Sequence, residues 1–81
     1  MKEYIVIHTA QQRYVVYERM GHIESMLPQG KFAKIHKSYI VAIDKVKTLD
    51  GNMLKTDTDE IPVSRDLKQE AMQKIFGNTK M

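Results

Sequence analysis

Eighty-one residues make one small domain, too short for two independent cores and marginal enough that a partner or a longer parent protein is expected. There is no cysteine, which excludes a disulfide framework and thiolate metal sites and fits a reducing cytoplasm. Thirteen basic against ten acidic side chains leave a net charge of +3, too mild by itself to name a polyanionic partner, and no apolar run approaches the roughly 20 residues that cross a bilayer.

Met1-Lys2-Glu3-Tyr4 is expected to open a strand rather than a signal peptide. Glu3 to His8 alternates, with Ile5 and Ile7 on one face and Tyr4, Val6 and His8 on the other. Arg13 to Tyr17 is β-branched and aromatic, so the two runs are predicted to form a hairpin across the polar link Thr9-Ala10-Gln11-Gln12. From Glu18 to Leu27 the period changes: Met20, Ile23 and Met26-Leu27 recur at helical spacing until Pro28 stops the helix.

Phe32 to Val41 is the centre of the chain, inside an acid-free window from Ser25 to Ile43. It begins by alternating, with Phe32, Lys34 and His36 on one side and Ala33, Ile35 and Lys37 on the other. Lys37-Ser38 interrupts the pattern before Tyr39 to Ile43 resumes it. Asp44-Lys45 is predicted as a tight turn into a strand at Val46 to Leu49, and Asp50-Gly51 as a hairpin turn returning through Met53 to Thr56. After a polar loop, Ile61-Pro62-Val63 is expected at a sheet edge, because Pro62 has no N–H for a ladder. Ser64 is placed as the N-cap of a last helix carrying Leu67, Ala71 and Ile75 and ended by Gly77, with 78–81 a tail. The fold class is therefore mainly β: small antiparallel sheets of short strands with two short helices.

Two constellations carry chemistry. Lys31, Lys34 and Lys37 lack acidic neighbours, and with Ser38 they form either an anion-facing corner or an ordinary solvated strand edge. Arg65 stands at the first turn of a helix, where a cation is electrostatically disfavoured; it either faces an anion or a guanine edge, or pairs with Asp66 or Glu70. Lys68 lies on the same early turn. The three histidines have no metal-ligand spacing, and Asp57-Thr58-Asp59-Glu60 lacks the glycine and spaced glutamate of a calcium loop. His36 and Ser38 have no orienting carboxylate, elbow glycine or oxyanion motif, so no enzyme and no cofactor are expected.

Phe32-x-Lys34-Ile35-His36-Lys37-Ser38-Tyr39-Ile40-Val41 followed by Ile61-Pro62-Val63-Ser64-Arg65 resembles the LytTR family of DNA-binding domains. The resemblance covers nearly the whole chain, residues 1–77, with the family's first strands expected to be missing. It implies the output half of a bacterial two-component response regulator, joined to a receiver, that binds direct repeats in double-stranded promoter DNA by placing loops in the major groove. It further implies base contacts by Lys37 and Arg65, and phosphate contacts by Lys34, Ser38, Ser64, Lys68 and, near a third loop, Lys2. His36 and Tyr39 become structural supports of the first loop, and a dimer on DNA is a further expectation. Two other readings stand beside this one: a protein–protein module pairing through an exposed sheet edge, and a single-stranded nucleic-acid binder using Tyr4, Tyr14 and Tyr17.

Overall fold

The computed structural model describes residues 2–28 and 30–77. Strands β1 (Glu3–His8) and β2 (Arg13–Glu18) form the predicted hairpin, in register from Glu3 opposite Glu18 to His8 opposite Arg13. The link closes on itself: the Thr9 hydroxyl donates to the Gln12 carbonyl at 2.7 Å, and the Gln12 N–H donates back to that hydroxyl at 3.2 Å. This local side-chain bonding makes a turn without glycine or proline. Helix α1 (Met20–Met26) is shorter than its periodicity suggested, because Glu18 belongs to β2 and Leu27, the residue before Pro28, is extended.

Strands β3 (Phe32–His36) and β4 (Tyr39–Ala42) follow, then a 3₁₀ turn at Ile43–Lys45 where a tight turn was predicted. β5 (Thr48–Asp50) and β6 (Met53–Lys55) are joined by Gly51-Asn52. Asp50 pairs with Met53, so the turn sits one residue later than Asp50-Gly51, with Gly51 (φ 65°) at its first central position. β7 (Glu60–Pro62) is a three-residue edge strand, as Pro62 required. A 3₁₀ turn at Arg65–Leu67 leads into helix α2 (Lys68–Phe76). Ser64 is extended, as a cap residue should be, but its hydroxyl makes no cap bond. Gly77 ends α2 in the right-handed region, so it stops the helix without the left-handed conformation that glycine favours there. The tail expected at 78–81 lies outside the described residues.

The first sheet has the order β2-β1-β4-β3 and the second β5-β6-β7. One pairing departs from the antiparallel expectation: β1 and β4 run parallel, with Val6 opposite Tyr39 and His8 opposite Val41. Short-range turn signals cannot show this, because parallel neighbours need a long crossover, here β2, α1 and β3. The first sheet is the central layer. On one face Ile5, Ile7 and Ile40 pack against Met20 and Ile23 of α1. On the other, Ala33, Ile35 and Val41 meet Leu54 and Ile61 of the second sheet, Val63, and Ala71 of α2.

His8 ties the two sheets. It is buried on β1, with Nδ1 facing Asp59 Oδ2 at 3.5 Å, long for a hydrogen bond. Burial lowers its pKa from the ordinary 6.5, only partly countered by Asp59. The folded chain therefore keeps the imidazole neutral at pH values where the unfolded chain protonates it. Stability should fall as pH drops through about 6.5 and level off once the folded pKa is passed. Urea midpoints measured at about pH 7.5 and about pH 5.5 should show this loss, and His8→Gln should diminish it.

Candidate nucleic-acid interface

The first constellation is built on a bulge. Lys34 lies opposite Ile40 and His36 opposite Tyr39, leaving Ile35 as an extra residue in β3. A bulge re-aims the side chains that follow it. His36 therefore leaves the face of Phe32 and Lys34, where strict alternation had put it, and joins Tyr39, with ring centroids 4.9 Å apart.

From there His36 holds the Lys37-Ser38 turn. Its Nδ1 accepts the Ser38 N–H at 3.1 Å, which requires Nδ1 to be the unprotonated nitrogen. On the other side the Val6 N–H of β1 donates to the Ser38 carbonyl at 2.8 Å. Tyr39 packs between His36 and His8, whose ring lies 5.9 Å away. Both backbone groups of Ser38 are thus occupied, and the exposed Lys37 side chain leaves from a fixed base.

The second constellation is fastened to the first. The Ser64 N–H donates to the Ile35 carbonyl at 2.8 Å, and the Val63 N–H to the Asn52 carbonyl at 2.7 Å. The segment before α2 therefore bridges the β5–β6 turn and the bulge of β3. Arg65 is exposed, and with the half-buried Lys68 it lines one shallow groove along α2 beside Gln69 and Met72. Neither Asp66 nor Glu70 pairs with Arg65: among the described residues the ion pairs are Lys47–Asp57 and Lys55–Asp50, and Asp59 faces the neutral His8. Among the described residues Lys37, Arg65 and Lys68 therefore form no ion pair with a carboxylate.

The other predicted contacts are placed differently. Lys34 points to the α1 face, into a cavity of about 440 Å³ shared with Glu24, Phe32, Gln73 and Lys74. Lys2 is exposed just before β1; since β1 runs parallel to β4 with Val6 at the level of Tyr39, Lys2 lies about 13 Å along the strand on the turn's side of the sheet. The three tyrosines do not make one platform. Tyr4 and Tyr17 are neighbours on one face, with centroids 4.9 Å apart, whereas Tyr14 lies opposite Ile7 on the other. Sequence reasoning missed Val6 and the Ile35 carbonyl as supports, because both act through backbone atoms across long sequence separations.

Among the described residues no group of three or more potential metal ligands occurs, and no helix is long and apolar enough to cross a membrane. No solved structure gives a significant match. The chain is 25% identical over 72 residues to the sensory transduction protein LytT of Bacillus anthracis, covering 82% of this chain and 29% of that protein. It is 27% identical over 73 residues to LytT of Bacillus subtilis, covering 83% and 30% respectively. It thus spans less than a third of the length of these relatives. The model of the LytTr DNA-binding domain matches residues 1–76, both motifs included, and the chain belongs to that family.

Proposed function

We propose that this chain is the DNA-reading part of a transcription regulator of the two-component kind, acting on double-stranded promoter DNA with direct repeats. Lys37 and Arg65 read base edges in the major groove; Ser38, Ser64, Lys68 and Lys2 contact phosphates and set the register, while Lys34, on the α1 face, is assigned no contact. Because the Ser38 N–H is already bonded to His36, its phosphate contact is assigned to the hydroxyl. The reading adds a receiver in the full-length protein, as a part of a sensory transduction pathway like that named for the LytT relatives. The observation that carries it is the Ser64–Ile35 hydrogen bond, which makes the two cationic segments parts of one rigid body able to meet one duplex.

Binding to duplexes selected from a random pool, measured at several salt concentrations, tests it. A log–log slope of about −0.9 per phosphate neutralised and a preference for the selected duplex of at least about a thousandfold over random DNA are expected. Salt-insensitive binding, or equal affinity for both duplexes, would remove the proposal.

A further inference from the structure

Among the described residues each strand edge is blunted except one. β3 carries a bulge and Lys34, and Ser64 caps its Ile35 carbonyl; β5 and β7 are three residues long, and β7 contains Pro62. Such devices prevent edge-to-edge pairing. β2 has none of them: Arg-Tyr-Val-Val-Tyr-Glu runs six residues without lysine, proline or bulge, at the open side of the first sheet. Val15 is 64% exposed, Tyr17 57% and Tyr4, beside Tyr17, 66%.

The direction of the free backbone groups follows from β1. Val6 gives its N–H to Ser38 on the β4 side, so it does not bond β2. Its antiparallel partner Val15 therefore turns its own N–H and C=O away from β1, toward the open edge, and by alternation so do Arg13 and Tyr17. A two-fold axis through Val15, perpendicular to the sheet, sets Val15 on its own copy and Arg13 opposite the second copy's Tyr17. All three outward residues then exchange hydrogen bonds. The side chains agree with this register: a guanidinium meets a tyrosine ring twice, valine meets valine, Tyr14 meets Val16, and Gln12 meets Glu18. A register centred on Val16 would instead bring Arg13 against Arg19.

We propose that the edge of β2 is a self-complementary interface, through which a second copy of this chain adds its β2 antiparallel and joins two four-stranded sheets into one. One strand edge covers less than the roughly 1,200 Å² of a stable complex, so the pair is weak, with a dissociation constant on the order of 0.1 mM. The interface does not depend on the DNA reading and is tested without DNA.

Sedimentation equilibrium of the 81-residue chain should show a monomer–dimer equilibrium. Val15→Lys and Val15→Glu should each weaken it at least about tenfold, since like charges then stand directly opposite. An equimolar mixture of the two variants should recover dimer, because only the Val15-centred register places the new charges against each other. A chain that stays monomeric up to about 1 mM, a Val15→Lys variant that associates undiminished, or a mixture without recovery overturns the proposal. The unmodified chain gives a second readout: amide protection at Arg13, Val15 and Tyr17 should rise with concentration, and constant protection there is equally fatal. Val15→Lys that is monomeric yet still binds duplex DNA separates this interface from the DNA site.

Discussion

Arg65→Ala is expected to weaken binding to the selected duplex by about 1–3 kcal/mol, a loss of roughly 5- to 150-fold, while barely changing binding to random DNA. The side chain has no carboxylate partner among the described residues, so its removal strands no buried charge and leaves the fold intact. Its base, Ser64, is fixed by a backbone hydrogen bond that the substitution leaves in place. The loss should concentrate at one base pair, because a guanidinium makes two parallel hydrogen bonds that one base edge satisfies best. Fluorescence anisotropy on single-base variants of the selected duplex would show discrimination relaxed at that position alone. Lys68→Ala, in the same groove as Arg65, is the contrasting variant. Losing a phosphate contact should weaken all duplexes alike and reduce the salt slope by about one. Equal losses on selected and random DNA for Arg65→Ala would take the base-reading role from it.

Ile35→Ala should be the most damaging single change to stability, at about 2–5 kcal/mol. The side chain is fully buried where the first sheet, the second sheet and α2 meet. In a domain of this size each kcal/mol is worth about 4–8 °C in Tm, and total stability is about 5–15 kcal/mol. Thermal unfolding followed by circular dichroism should therefore show a fall of about 8–40 °C, or a chain unfolded at 37 °C. A shift within a few degrees would mean that the core closes over the missing atoms, contrary to the packing described.

Most of the elements could be read from the sequence because their causes are local. Ile5 and Ile7, Ala33 and Ile35, and the spacing of Met20 and Ile23 each record a face in two or three neighbouring letters. Pro28 and Pro62 act through their own missing N–H. What was not readable is what joins the pieces. The parallel pairing of β1 with β4 leaves no mark in either strand, and the bulge at Ile35 looks like uninterrupted alternation until Tyr39 is placed opposite His36. The site shows the same division. Lys37 is conspicuous as a cation without acidic neighbours and Arg65 as a cation at the first turn of a helix, whereas their supports, the Val6 N–H and the Ile35 carbonyl, are backbone atoms that each residue possesses. Lys34 was grouped with Lys37 by closeness in the chain, yet the structure points it to the α1 face.

The parallel pairing also bears on how the chain folds. The hairpins β1–β2, β3–β4 and β5–β6 each close over a few residues, so they can form early and independently. Joining β1 to β4 has to wait until β2, α1 and β3 are in place, and that long closure is the slow kind. The Val6–Ser38 bond that steadies the cationic turn belongs to this last event. Partly folded chains would carry the hairpins and the same charges with the turn unsupported, and so would meet DNA as loose polycations. Selectivity for sequence should therefore appear during refolding later than affinity for DNA.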